Sequence, residues 1–360
     1  MADLLKNLYN TTYINLLTNT LSKHYFSFEK ELFIEAIFNP IWKEKELKQR
    51  MRHIATQLGL YLPKEYLNAS KILKLAFSDM NYDYGLQNMI FQDFIEVYGL
   101  DDFEISMDAL AHFTINSSSE FAIRAFILKY PQETMQQMMF WATSSNEHLR
   151  RLASEGSRPR LPWAVSLPAF KENPSEVLKI LEILKDDTSK YVQKSVANCL
   201  NDISKDNPEI VIELTKKWKN KTKTREWILK HGCRTLLKDS NTEILSLFGF
   251  QATTSLALNN FQCNEEVRMN HDLNFSFELS SQKNIGTLRI EFALYFLRKN
   301  GQHNKKVFKI AEGIYADKEK VFTKSYSFKK ITTRVYYKGS HKLQIIINGV
   351  VLAKTQFMLT

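Results

Sequence analysis

A helical-repeat array followed by a β-sandwich is the architecture the sequence predicts, on three observations. Pro131, Pro174 and Pro208 each open a helical run at similar intervals, and a second helical run follows each. Paired helices recurring at such a period mark an α-solenoid of HEAT type, because each pair can bury its apolar face only against its neighbours. After Phe250 no proline occurs and alternation of period 2 takes over, with Leu273, Phe275, Phe277 and Leu279 set against Asn274, Ser276 and Glu278. Alternate residues of a strand face opposite sides of a sheet, so this texture reads as half-buried β. Charge divides at the same place: residues 253–360 hold 17 Lys/Arg against 8 Asp/Glu, whereas residues 1–252 hold 32 against 31. The expected domains are therefore 1–252, a HEAT-like helical array, and 253–360, an immunoglobulin-like sandwich, with the boundary near Gln251–Ser255.

Taken in order, residues 1–60 read as helices. Within 41–58, Ile41, Leu47, Met51, Ile54 and Leu58 share one face at helical spacing. A loop at Leu60–Pro63 leads to helices expected over 64–77, 86–98 and 105–115. Asn precedes both Pro174 and Pro208, the pattern of an N-cap Asn with Pro at the first helical position. Their runs carry Val177, Ile180, Leu181 and Leu184, then Ile210, Val211, Leu214 and Trp218. The second helices of the three pairs are expected over 146–156, 189–203 and 224–238. In the C-terminal part, strands are expected at 273–279, 288–296, 319–328, 332–338, 342–347 and 350–358. Asn348-Gly349 joins the last two as a type I′ hairpin, since both residues tolerate positive φ. Roughly seven short strands in about 105 residues fit a sandwich, and no Cys…Trp…Cys spacing marks an antibody-type domain.

Composition narrows the function classes. The chain has 360 residues, is 44% hydrophobic and contains only Cys199, Cys233 and Cys263. Without C-x-x-C or His-rich spacing, a structural zinc site and a disulfide scaffold are both unsupported. No basic segment precedes an apolar stretch at the N-terminus and no run reaches membrane-spanning length, so an intracellular, cytoplasmic protein is expected. The net charge is +10, and Lys216–Lys238 packs nine basic residues around one Glu226. Segregated basic surface suggests a polyanionic partner, most commonly nucleic acid, although a solvated basic face is the plainer reading. Trp218 and Trp227 sit within that run as stacking platforms or as core anchors. No phosphate-binding glycine loop, G-x-S-x-G or H-E-x-x-H motif occurs, and the histidines show no metal spacing.

Residues 147–163 stand apart. Four arginines, Arg150, Arg151, Arg158 and Arg160, surround Glu155, and two prolines lead to Trp163. Leu149 and Val192 stand at the same offset from Pro131 and Pro174, and in that register Glu155 matches Asn198 while Arg151 matches Lys194. Repeat packing alone thus does not explain the carboxylate. Glu155 could be a mere i, i+4 partner of Arg151, worth at most about 0.5 kcal/mol. Yet a carboxylate among phosphate-binding arginines opposes their purpose unless it meets a cation. Trp163 reads either as core or as an indole face for a positive ligand. Glu120, after three serines, reads as a first-turn acid paired with Arg124.

Four stretches carry a family resemblance: F-Q-D-F-I-E-V-Y-G-L-D-D-F-E-I-S at 91–106, S-S-E-F-A-I-R-A-F-I at 118–127, N-E-H-L-R-R-L-A-S-E-G-S-R-P-R-L-P-W-A at 146–164, and L-K-D-D-T-S-K-Y-V-Q-K-S-V-A-N-C-L-N-D-I-S-K-D at 184–206. Over most of 90–220 the chain resembles the bacterial AlkC/AlkD superfamily of DNA alkylation repair glycosylases, and the AlkC branch above all. It departs from the family pattern at Ala125, often Pro, and Cys199, often Asn. The C-terminal part is similar to the immunoglobulin-like domain some AlkC members carry. The resemblance implies excision of N3-alkylated bases, 3-methyladenine and 3-methylcytosine, from double-stranded DNA without base flipping. It further implies Glu155 and Trp163 as main catalytic residues and Glu120 as a second carboxylate. Arg150, Arg151, Arg158 and Arg160 become candidates for the DNA backbone. With them we place Lys194, Lys216, Lys219, Lys221, Lys223 and Arg225, from the repeat register and the basic run. It implies no metal, no organic cofactor and no membrane partner, and association with the nucleoid when bound to DNA; nothing in the sequence demands more than a monomer. The rival expectation is a non-catalytic HEAT-repeat scaffold that binds nucleic acid or protein.

Overall fold

The computed structural model describes residues 4–360 apart from Asn81, Ala252 and Thr333. The described residues form sixteen α-helices followed by eight strands. The helices are α1 Thr11–His24, α2 Lys30–Ile37, α3 Leu47–Tyr61, α4 Tyr66–Asp79, α5 Met89–Tyr98, α6 Phe103–Phe113, α7 Ile123–Lys129 and α8 Pro131–Ala142. They continue as α9 Glu147–Gly156, α10 Pro168–Glu172, α11 Ser175–Leu184, α12 Lys190–Ile203, α13 Pro208–Trp218, α14 Lys223–Gly232, α15 Arg234–Lys238 and α16 Thr242–Leu247. No helix among the described residues is long and apolar enough to cross a membrane. Two compact units result, Met1–Val211 with Trp218–Gly232, and Ile212–Lys217 with Cys233–Thr360. The short helices α15 and α16 therefore group with the β-domain, while the change from helix to strand falls between Phe250 and Leu256. The expected boundary runs through Ala252, which lies outside the described residues.

In the first unit the helices bury the faces that their periodicity marks. α3 buries Met51, Ile54, Ala55 and Leu58. The helix expected over 41–58 is nonetheless two elements, a 3-10 turn at Pro40–Glu44 and then α3. Gln49 Oε1 accepts the Glu46 N–H at 2.8 Å, satisfying a donor at the new N-terminus. The first two pairs appear as α8 with α9 and α11 with α12; α13 and α14 both form, but Ile212–Lys217 of α13 groups with the second unit while α14 belongs to the first. Pro131 and Pro208 each begin their helix, but α11 begins just after Pro174. Asn173 still caps that end, its Oδ1 accepting from Ser175 N at 3.1 Å. The expected helix 224–238 breaks after Gly232, where an added Cβ would lie 3.0 Å from Leu200 Cβ. Glycine weakens a helix interior, and this close approach to α12 requires it.

The β-domain has two sheets: β1 (Leu256–Cys263), β3 (Asp272–Ser281) and β6 (Glu319–Ser327) in the order β1-β3-β6, and a second in the order β2-β8-β7-β4-β5. The latter comprises β2 Glu266–Val267, β4 Gly286–Leu297, β5 His303–Tyr315, β7 Gly339–Ile347 and β8 Val350–Leu359. All pairings are antiparallel except β2 with β8. Leu273, Phe275, Phe277 and Leu279 meet Leu288, Ile290, Phe292, Leu294 and Phe296 in one apolar core. Asn348 and Gly349 both have positive φ, 48° and 84°, as the hairpin requires. The strand expected over 332–338 does not form; only an isolated bridge joins Ile331 to Arg334, and Thr333 lies outside the described residues. β1 and β5 were not expected. Both lie at sheet edges and lack clean in-out alternation, so period 2 does not mark them.

Candidate active site

The site is built in the first unit on α9 and the loop that follows it. Asn146 caps α9, its Oδ1 accepting the His148 N–H at 2.9 Å. Gly156 ends the helix against Ile123 and Met138, 2.6 Å and 2.8 Å from where a Cβ would stand. The loop turns back over α7, and a buried guanidinium fixes it. Arg124 Nη1 donates to the carbonyls of Gly156 (2.9 Å) and Arg158 (2.8 Å), and its Nε to that of Val165 (2.6 Å). Burial holds Arg124 down to about 10, still charged at neutral pH.

The three expected catalytic residues fall into this region by different routes. Glu155 is only 6% exposed, and its Oε1 accepts from Arg158 Nη1 at 2.6 Å, with Arg151 Nη2 at 3.7 Å. Glu120 lies in the turn before α7, rather than in a helical first turn, and pairs with Arg151 rather than Arg124. Ser118 Oγ donates to Glu120 Oε2 at 2.8 Å. Arg151 therefore sits between both carboxylates, its guanidinium 5.0 Å from the centre of the Tyr191 ring. The second oxygen of each carboxylate, Glu155 Oε2 and Glu120 Oε1, has no hydrogen-bond partner among the described residues. Trp163 is 62% exposed with φ +64°, so the core reading of its indole is excluded. A groove of about 520 Å³ runs past Glu120, Arg151, His148 and Tyr191.

The arginines divide. Arg158 was expected on the DNA backbone, but it is buried and its Nε donates to Asp202 Oδ2 at 2.8 Å. Burial opposes its charge, yet Glu155 and Asp202 more than offset this and hold its pKa above the ordinary arginine value. With its Nε and one Nη1 donor held by carboxylates inside the protein and only 7% of the residue exposed, Arg158 is poorly placed to reach a phosphate. Arg150 is engaged as fully, forked on Asp187 (2.6 and 3.1 Å) and bonded to the Ser144 and Ser145 carbonyls. Arg160 forks on Asp206, and Arg225 on Asp186, nearer the surface. In the basic run, Lys216 bonds to Glu213 and Glu243, both at 2.6 Å. Lys194, Lys221 and Lys223 are exposed and Lys219 half-buried, all without an ion pair among the described residues. Trp218 is core, whereas Trp227 is exposed, stacked on His231 and faced by Lys190.

Tyr191, Asp202 and Ser118 were not singled out by sequence, and Arg124 entered only as a partner for Glu120. One signal existed for the first: Tyr191 follows Pro174 at the same offset as His148 follows Pro131, and the two rings meet edge to face at 5.8 Å. Asn198, the counterpart of Glu155, instead bonds to His231 at 3.3 Å.

Residues 110–236 match the DNA alkylation repair enzyme family, and residues 257–360 match the C-terminal Ig-like domain of the uncharacterised protein YhaZ. The chain is 42% identical to the uncharacterized protein YhaZ of Bacillus subtilis (strain 168), over 99% of each. It is similar to Pseudomonas fluorescens alkylpurine DNA glycosylase AlkC, solved bound to DNA containing an abasic site analog. That match has a TM-score of 0.95 and 32% identity, covering 99% of this chain and 100% of that one. AlkD2 from Streptococcus mutans matches with 27% identity over 57% of this chain and 95% of its own, at a TM-score of 0.42.

Proposed function

The chain belongs to the AlkC family of DNA alkylation repair enzymes, and from that premise we propose that it is a monofunctional glycosylase for cationic N3-alkylated bases. The substrates on this reading are 3-methyladenine and 3-methylcytosine in duplex DNA, approached without base flipping on a HEAT-like array. The observation that carries it is the pair of carboxylates, each with one oxygen pinned by an arginine and the other without a hydrogen-bond partner among the described residues. An N3-alkylated base carries a positive charge. When the bond from its ring nitrogen to C1′ breaks, the electron pair goes to the base, which leaves neutral and needs no general acid. The sugar becomes oxocarbenium-like, water adds at C1′, and one proton is lost. A fixed carboxylate aimed at that charge stabilises the transition state and orients the water. The exposed Trp163 face can stabilise the same cation. Arg151, shared between Glu120 and Glu155, holds both carboxylates in place. Backbone phosphates would be taken by Lys194, Lys219, Lys221 and Lys223, with Arg160, Arg225 and Lys216 exchanging a surface carboxylate for a phosphate.

Glu155→Ala is the decisive variant. Arg158 keeps Asp202 as its partner, so the fold should hold. We expect release of 3-methyladenine from methylated duplex to fall below detection while affinity for an abasic-site duplex largely survives. Undiminished release would remove Glu155 from the chemistry. An unmodified protein that binds DNA but releases neither base would favour a non-catalytic scaffold.

A further inference from the structure

We infer that Lys48, on α3, is a positioning residue for Trp163: its ammonium locks the left-handed backbone of that residue and so sets where the indole stands. The inference rests on the reading of Trp163 as a catalytic face. A bulky residue at φ +64° occupies a sparsely populated region, and such a conformation persists only where its surroundings over-determine it. The indole cannot supply that restraint, because it is 62% exposed. The flanks are fixed elsewhere: Leu167 N bonds to the Pro159 carbonyl at 3.1 Å, Ala164 N to that of Leu161 at 3.3 Å, and Arg124 takes the Val165 carbonyl. At Trp163 itself the hold is Lys48 Nζ, which donates to its carbonyl at 2.7 Å across a long separation in sequence.

The same ammonium lies 4.7 Å from the centre of the Phe121 ring, next to Glu120 in the chain. One cation thus ties the segment that carries Glu120 to the segment that carries Trp163. Both its partners are neutral, and Asp93, an acid within its electrostatic reach, is itself bonded to Arg52 at 2.7 and 2.9 Å. Its base is rigid, because α3 buries Met51, Ile54, Ala55 and Leu58 beneath it. Lys48 is exposed, so its loss should leave the melting temperature unchanged.

Two variants of the full chain test this. Lys48→Met keeps the apolar stem and removes the donor; Lys48→Arg keeps a donor. Three quantities are measured: single-turnover release of 3-methyladenine at saturating enzyme, affinity for an abasic-site duplex against salt, and emission anisotropy of Trp163 in the free protein. The last is obtained by difference from Trp163→Phe. We expect Lys48→Met to lower the saturating rate measurably and by no more than Trp163→Ala does, within the roughly 2- to 30-fold that loss of the indole face itself would cost. Affinity and its salt slope should stay constant, Trp163 anisotropy should drop, and Lys48→Arg should recover much of the rate. An unchanged rate and anisotropy would overturn the inference. So would a salt slope reduced by about 1 with the saturating rate intact, which would make Lys48 a phosphate contact. If the unmodified protein released no base, the glycosylase reading would fail, while the anisotropy would still decide whether Lys48 holds Trp163.

Discussion

Glu155 and Arg158 show how one residue's surroundings change its meaning. In sequence both belong to a cluster of charge, and the arginines read alike as phosphate ligands. In the fold Arg158 is buried between Glu155 and Asp202, and Arg160 reaches the surface with 40% of its side chain exposed. We therefore expect Arg158→Ala to cost about 3–5 kcal/mol, because it takes the close partner from buried Glu155 and leaves buried Asp202 with the exposed Lys205 alone. Arg160→Ala should cost less than about 1 kcal/mol, as exposed ion pairs do. Urea midpoints of the two variants check this, and equal midpoints would contradict the buried-cluster account. Trp163→Ala should slow base release by roughly 2- to 30-fold, the range of a cation–π contact of about 0.5–2 kcal/mol. Trp163→Phe should recover part of it in the same single-turnover assay.

At the scale of elements, α9 was legible and the loop after it was not. The span expected over 146–156 matches Glu147–Gly156, because an Asn cap, an apolar stripe and a terminal glycine are local signals. Gly156 has a further reason to be glycine, its close contact with Ile123 and Met138. Gly156→Ala should destabilise the protein by about 1–3 kcal/mol through overpacking, read as a lowered melting temperature. A variant as stable as the parent would show that those two side chains move aside at no cost. The path of residues 157–165 depends instead on Arg124, from an earlier helix, and on Lys48, which no local pattern marks. Likewise β4 was read from its alternation, whereas β5 at a sheet edge buries neither face cleanly.

For the whole molecule, the division of charge matters more than its sum. Residues 253–360 carry 17 of the 49 Lys/Arg but only 8 of the 39 Asp/Glu. If the β-domain grips the duplex, a chain ending at residue 252 should bind DNA more weakly and with a shallower dependence on salt. Each lost phosphate contact removes about 0.9 from the logarithmic slope. Slope is the better measure than affinity, because such a cut also uncovers Leu245, which packs under the Gly349 hairpin. Equal slopes for the two chains would refute a DNA-contacting role for the β-domain.

The order of helices then strands, the helices that begin at or just after Pro131, Pro174 and Pro208, and the oddity of a carboxylate among arginines were all determined by the sequence alone. They rest on period, capping and composition, which are local. Tertiary structure decided which arginines are spent inside the protein and which lie nearer the surface, that Glu120 answers to Arg151, and that Trp163 stands in solvent on a left-handed backbone. The physical reason is that burial and ion pairing join residues far apart in the chain, as Lys48 joins Trp163, and only the folded chain brings them within reach.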